Sequence, residues 1–547
     1  MERMKKYWHE SKKAWVIAIT QWFITTIMQV DRAFFTYDHE TKKYIVIKAL
    51  YLVFLVIFWG FVLSVRKKLK ERDPYYKRAV QIFCVYFTLM MVLLLIVWPG
   101  TWSWDDLCTL SDIQWYNSFQ PWQHIITGIY QDVMLQIFPF PGGIILLQNV
   151  IISICVAFSV TKLEQEYAIG MLKNTFLDIL LKLIPFLLPP VLMYQFSGYR
   201  MGMYVYLELV MLVILLCSHR ERGAWGWKYI ILFCFLTMIV STWRTESMVY
   251  IPCICILLCF FDKKILPVSK KITSIVLVLL FFIGMNQWQT HELKNNNYEI
   301  ISLMRPCVEL VRVADHKTDS EELAAIDKVT DLKVIYDNPT KNGESIYWGT
   351  KCVRNRNDNP DDDYTDKDYK NYLKAFIKLS LKYPRVVITE RLNLFIRGSG
   401  ITGQSYTNVV NAAQLFEENN GNSAANAILS RKLIANTPVF KYIRRASIYA
   451  LGIQKNGIAI GWLQRIIWNA IIPILILACV WIKTLLQKNW QSWFICSVVL
   501  VRVPIVVLTQ PSDWFMYLLS FYFLGYVVFV YALWIYFSKK KGVEENE

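Results

Sequence analysis

The sequence predicts an all-α polytopic membrane protein with about twelve transmembrane helices and one α-rich extracytoplasmic domain. Three observations carry this. The first is a series of apolar runs, each near the ~20 residues that cross a bilayer, in a chain of 547 residues that is 55% hydrophobic. The second is that Lys and Arg collect in the segments between alternate runs. The third is a change of composition between 289 and 461, where charge, Asn, Asp and Gly rise and long apolar runs stop.

The net charge of +17 does not point to nucleic acid, because the cations cluster in short segments between apolar runs. That pattern belongs to membrane topology. No small-residue cleavage site follows the first apolar run, so a cleaved signal peptide is not expected. Most of the 12 cysteines lie inside apolar runs, among them Cys253, Cys255 and Cys259, and read as small buried hydrophobes.

Taken in order, the expected spans are 14–31, 43–65, 79–98, 143–162, 174–195, 201–217, 228–242, 246–262, 272–288, 462–482, 490–509 and 514–537. The first carries Gln21 and Gln29, which leaves open whether it spans. Segments 1–13, 66–78, 218–228, 262–271 and 538–547 are rich in Lys and Arg and are expected to be cytoplasmic. Segment 99–142 has neither residue and is expected outside. Both termini then lie inside. The chain divides into a transmembrane module over 1–288, an extracytoplasmic domain over 289–461, and C-terminal helices with a cytoplasmic tail over 462–547. At about 170 residues the domain is large enough to fold alone.

The outer loop 99–142 opens with Trp98-Pro-Gly-Thr-Trp-Ser-Trp-Asp-Asp106. Pro99 and Gly100 stop the incoming helix. Trp98, Trp102 and Trp104 suit a membrane–water boundary. Ser103 and Asp106 form a variant capping box that starts a short helix. Asp105 and Asp112 share one face of it. A second run, Trp122 to Phe138, sets an apolar stripe against a face with Gln123, His124, Thr127 and Gln131, and reads as a helix lying in the outer interface. Shorter outer loops place Arg200, Arg244 with Glu246, and Asp513 at the same boundary. In the domain, 369–397 is helical with a break at Pro384, and 398–408 is a Gly-rich turn.

No nucleotide-binding loop, zinc spacing or Cys/His set is present. Outside a membrane there is no ATP or nucleotide sugar, so an activated group arrives on a lipid carrier with its phosphate at headgroup depth. An acceptor hydroxyl then needs a base, and a carboxylate such as Asp105 supplies one. The departing phosphate needs positive charge, and Arg offers a bidentate match to its oxygens. Arg244 and Arg200 fill that role. Intramembrane Glu208 and Arg502 need partners or a function, and a structural pair between them fits as well as a substrate contact.

The first outer loop, its two short helices, the many spans and the late domain together resemble the GT-C class of polytopic glycosyltransferases. More narrowly, Trp98-Pro-Gly-Thr-Trp-Ser-Trp-Asp-Asp106, Pro121-Trp-Gln-His124 and Gly142-Gly-Ile-Ile-Leu-Leu-Gln148 resemble an uncharacterised bacterial membrane family related to that class. Tyr336-Asp-Asn-Pro339 and Leu381-Lys-Tyr-Pro384 are similar to it too. The resemblance implies a cell-membrane enzyme that moves a sugar from a polyprenyl-phosphate donor to an extracytoplasmic glycan, polymer or lipid acceptor, with inversion. It makes Asp105 the catalytic acid residue and puts Arg244 and Arg200 on the donor phosphate by position. Where the broader family carries His-Pro, Gln120-Pro121 stands here, with His124 following.

Each residue has a plainer reading beside the functional one. Asp105 and Asp106 favour the N-terminus of a helix through its dipole, and capping suits Asp106 better than a second acid role. Arg244 and Glu246 make a local ion pair at a span end. His124, Glu246, Trp102 and Trp104 are candidate substrate contacts, or interface residues. Asp361 to Asp363 could hold a divalent metal, but a solvated charge run fits better, and no cofactor is expected. Cys307 and Cys352 are the domain's two cysteines, and spacing does not decide whether they pair. A lipid-linked-sugar transporter, or a non-catalytic envelope-assembly protein, are the alternatives to an enzyme. Repeated halves, usual in secondary transporters, are absent from the sequence.

Overall fold

The computed structural model describes residues 2–35, 41–102, 104–115, 117, 119–218, 224–293, 297–356, 364–403, 441–455 and 458–544. The acids 361–363, residues 404–408 of the Gly-rich stretch 398–408 and the cap residue Ser103 lie outside the described residues.

The helices in chain order are α1 (Glu2–Ile27), α2 (Thr41–Lys70), α3 (Pro74–Val97), α4 (Trp104–Ile113), α5 (Ile126–Leu135) and α6 (Pro141–Glu166). They continue with α7 (Thr175–Lys182), α8 (Pro189–Gln195), α9 (Arg200–Cys217), α10 (Trp227–Trp243), α11 (Tyr250–Phe260) and α12 (Val268–Leu293). Next come α13 (Ile301–Val313), α14 (Ser320–Asp327), α15 (Leu332–Tyr336), α16 (Gly343–Gly349), α17 (Asp366–Lys382) and α18 (Pro384–Gly398). The last are α19 (Lys441–Leu451), α20 (Gly461–Ile467), α21 (Ile471–Leu486), α22 (Trp490–Thr509) and α23 (Leu519–Glu544). Among the described residues the strands are one small antiparallel pair, Gln454–Lys455 with Ile458–Ala459.

Eight helical segments are long and apolar enough to cross a membrane: those of α2, α3, α6, α9, α12, α20 with α21, α22 and α23. This is the make-up of an all-α multi-pass membrane protein. The other four expected spans take different forms. α1 covers most of 14–31 but stops at Ile27, where Gln29 turns to φ 49° and a 3₁₀ turn follows. Segments 228–242 and 246–262 are apolar but short, as α10 and as a 3₁₀ turn Thr245–Val249 running into α11.

Segment 174–195 is not one helix. It is α7, a 3₁₀ turn Ile184–Phe186, and α8. Pro185, Pro189 and Pro190 lack the N–H that a continuous helix needs. The pieces nevertheless run the length of α3. Asp178 meets Arg78, which sits in the second turn of α3. At the other end the Phe196 carbonyl accepts from Thr101 N, just past the end of α3, at 2.8 Å. The end with Arg78 is closed by a neutral cluster of two cations and two anions. Arg78 and Lys182 each lie 2.7 Å from Glu164, and Lys182 lies 3.0 Å from Asp178.

Helices α13 to α17 surround their own core of Met304, Cys307, Val308, Val311, Ile326, Ile346, Tyr372 and Leu379. Thr365 and Asp368 form a capping box that opens α17, and the chain breaks at Tyr383 before Pro384 begins α18. Cys307 and Cys352 are both buried there as free thiols. The domain is tied to the bundle through α18, where Arg391 donates to the Gln510 carbonyl at 2.8 Å and Arg397 pairs with Asp513 at 3.1 Å. α19 leaves the domain and packs on α3 and α8.

α5 is not an isolated surface helix. It is short and wedged among α2, α6 and α10, with both its polar and apolar faces buried. Several of its polar side chains pair with protein, although Gln131 Oε1 is buried without a hydrogen-bond partner among the described residues. Gln131 donates to the Gly198 carbonyl at 3.0 Å, Thr127 accepts from the Trp243 indole at 2.8 Å, and Tyr130 donates to Gln148 at 2.8 Å. An amphipathic pattern shows that two faces differ, and here both contact protein.

Candidate active site

The loop after α3 is built as a rigid step. Gly100 holds φ +115°, which suits glycine, and a Cβ there would sit 2.5 Å from the Phe196 carbonyl oxygen. Thr101 Oγ1 donates to the Met193 carbonyl at 2.9 Å. The Trp102 ring is fully buried against Gly198, and its indole N–H donates to the Pro99 carbonyl at 3.0 Å. Trp102 therefore packs the loop and has no face free for a substrate, contrary to its candidate role. From α19, Arg444 donates to the carbonyls of Trp98 at 2.9 Å and Gly100 at 3.0 Å. The side chain of Trp104 lies outside the described residues.

This footing fixes the first turn of α4, where the two carboxylates part company. Asp106 points inward, fully buried, and accepts from Ser197 Oγ at 3.1 Å. It ties α4 to the 197–199 turn, as a structural acid would. Asp105 is half-buried and accepts a long hydrogen bond, 3.4 Å, from the Tyr199 hydroxyl. Burial pushes its carboxyl from the ordinary 3.8 up to about 6, against the Tyr199 bond and the Arg200 charge, which both favour ionisation. A base poised there is ionised at neutral pH yet basic enough to take a proton.

Arg200 is the first residue of α9 and donates to the Trp122 carbonyl at 3.3 Å. Besides Asp105, its electrostatic neighbours are Arg244, Glu246, Tyr298 and Tyr517. Arg244 follows the end of α10 in extended conformation. It pairs with Glu246 at 2.7 Å, lies 5.2 Å from the Tyr517 ring centroid, and is almost wholly buried. Its Nη1 is buried with no hydrogen-bond partner. The 3₁₀ turn that carries Glu246 is held from within the bundle. Ser247 Oγ lies 2.5 Å from the Tyr204 hydroxyl, and Tyr204 and Tyr250 both donate to Glu208. Glu208 forms a fully buried ion pair with Arg502, so the two intramembrane charges find each other.

His124 is buried beside Arg200. Burial chiefly, and the Arg200 charge, push its imidazole down to about 4, so it is neutral. Nδ1 accepts from Ile126 N at 3.3 Å, which puts the proton on Nε2, and that atom has no partner. The Trp122 indole nitrogen is likewise buried and unpartnered. Buried polar atoms are normally satisfied. Among the described residues, three buried donors around Arg200 lack acceptors and mark a place for a ligand rich in oxygen.

Asp105, Arg200, Arg244, Glu246 and His124 thus share one neighbourhood. Sequence reasoning missed four of its members: Tyr199, Tyr298, Tyr517 and Glu344. Tyr199 stands beside Arg200 in a loop already singled out. Glu344 comes from the domain and gave no local signal. It lies 3.5 Å from Arg305, and Asp105 and Asp513 are within electrostatic reach. Burial first, and those two carboxylates, raise it to about 7 against the pull of Arg305.

Comparison with protein-family models, curated proteins and solved structures finds no match to this chain.

Proposed function

We propose that this chain is a membrane glycosyltransferase of GT-C type. It transfers a sugar from a polyprenyl-phosphate donor to an extracytoplasmic glycan, polymer or lipid acceptor. The observation that carries this reading is the pairing of a half-buried base, Asp105, with two arginines, Arg200 and Arg244, the latter with an unpartnered buried Nη1. The acceptor O–H gives its proton to Asp105. The acceptor oxygen bonds to the anomeric carbon from the face opposite the phosphate. The carbon–oxygen bond to phosphate breaks, and its electron pair leaves on polyprenyl phosphate, whose charge the arginines balance. The anomeric centre inverts.

In this reading the chain crosses the membrane twelve times, counting α1, the broken passage 174–195, α10 and α11 with the eight long segments. Support comes from the span of the broken passage along α3 and from the Lys and Arg between alternate segments. Both termini are cytoplasmic, and the domain within 289–461 is extracytoplasmic.

The test is purified protein in liposomes with a polyprenyl-phosphate-linked radiolabelled sugar and a mixture of cell-surface glycans as acceptors. Release of polyprenyl phosphate, abolished by Asp105→Asn, is the expected result. Label that crosses the bilayer still attached to its lipid, with no release, would replace the enzyme with a transporter.

A further inference from the structure

An aromatic cluster whose Tyr298 lies within electrostatic reach of Asp105 comes from two distant parts of the chain. On α16, Glu344, Tyr347 and Trp348 stand at i, i+3 and i+4, so they share one helix face. Trp348 packs edge-on against Trp122 of the first loop with centroids 6.3 Å apart, and against Tyr298 at 6.1 Å. Tyr298 in turn lies within electrostatic reach of Asp105 and Arg200. The circuit closes, because Arg200 holds the Trp122 carbonyl. Trp348 is 56% exposed, an unusual state for an indole at the junction of two packed units. Beside it the Trp122 N–H is buried with no acceptor, and Glu344 offers carboxyl oxygens.

A flat ring with an open face, an unused N–H donor and a carboxyl acceptor within one surface match a pyranose. The sugar's C–H face lies on the ring, and its hydroxyls both give and accept hydrogen bonds. A lipid tail would use the ring but not the polar pair. We propose that Trp348, Tyr298, Trp122 and Glu344 form a carbohydrate subsite that presents an acceptor hydroxyl to Asp105. This deepens the glycosyltransferase reading and rests on it for the role of acceptor. It makes the acceptor a glycan rather than a simple lipid. It also makes the domain a working part of the site, since three of the four residues, Tyr298, Glu344 and Trp348, come from it.

Binding can be measured without turnover. Full-length protein in detergent, applied to an array of cell-surface oligosaccharides, is expected to retain at least one glycan. Trp348→Ala and Glu344→Gln are each expected to weaken that binding about tenfold or more. Trp462→Ala, which removes an indole 67% exposed elsewhere on the chain, is expected to leave it unchanged. A silent array, or equal retention by Trp348→Ala and wild type, would overturn the subsite. Release of polyprenyl phosphate from the donor is a separate readout. Release without glycan retention would sink the subsite alone, and retention without release would sink the transferase reading alone.

Discussion

The Tyr199 hydroxyl lies 3.4 Å from Oδ2 of Asp105, and Arg200, the next residue, acts on the same carboxylate. Both favour the ionised form, while burial opposes it and prevails, holding the group at about 6. As a base Asp105 works only when ionised, so transfer should fall as pH drops through about 6. Tyr199→Phe removes a bond to the charged form. The acid limb of the rate profile should then move to higher pH, by about half a pH unit for a long hydrogen bond. A pH–rate profile of the two proteins checks this, and an unmoved limb would detach Tyr199 from the base.

Asp105→Asn should abolish transfer, by roughly a hundredfold or more, without loss of fold. The sign of the stability effect follows from linkage. The folded-state value, about 6, is above the ordinary 3.8, so ionisation of Asp105 costs stability as pH rises between them. The amide removes that cost. The melting temperature at pH 7.5 should equal or exceed that of wild type, and a lower one would make Asp105 a structural residue.

Arg244→Lys keeps a cation beside Glu246 but loses the planar fork and the free Nη1. KM for the lipid-linked donor should rise about tenfold or more while the protein still purifies as a single species. An unchanged KM with a fallen melting temperature would assign Arg244 to the ion pair alone.

Arg502 and Glu208 are both fully buried, so removing one partner strands a charge. Arg502→Met alone should cost about 3–5 kcal/mol and most of the folded yield. Joining it to Glu208→Gln should restore yield to near wild type. Size-exclusion profiles of the three proteins decide it, and equal yield from the single variant would count against a structural pair.

Sidedness has its own measurement. In a cysteine-free background, Lys70→Cys at the end of α2 should react with an impermeant maleimide only in permeabilised cells. Lys317→Cys in the domain should react in intact ones. The reverse result would invert the topology.

Much of this architecture is legible in the sequence because the strongest signal, apolar length, is local. The Pro99-Gly100 stop, the helix that starts by Asp105, and the break at Pro384 are all local too. What is not legible is convergence. Glu344 and Trp348 are far in sequence from Asp105 and reach it through tertiary contacts such as Arg391 with Gln510, Arg397 with Asp513 and Trp348 with Trp122. Segment 174–195 has the hydropathy of a span, and its three prolines are what divide it. The polar face of α5 looked like a water-facing face because sequence shows polarity without showing what will satisfy it.

That last helix has a consequence for biosynthesis. The groups that accept and donate to Gln131 and Thr127 belong to Gly198 and Trp243, which leave the ribosome later. Until then α5 has no dry place to rest, and its amide and carboxylate groups bar it from the acyl chains. Those contacts close only once the segments that carry Gly198 and Trp243 have been made. The loop bearing Asp105 depends on later residues too, because Thr101 bonds to the Met193 carbonyl and Asp106 to Ser197, so its footing is completed only after residue 197 is made.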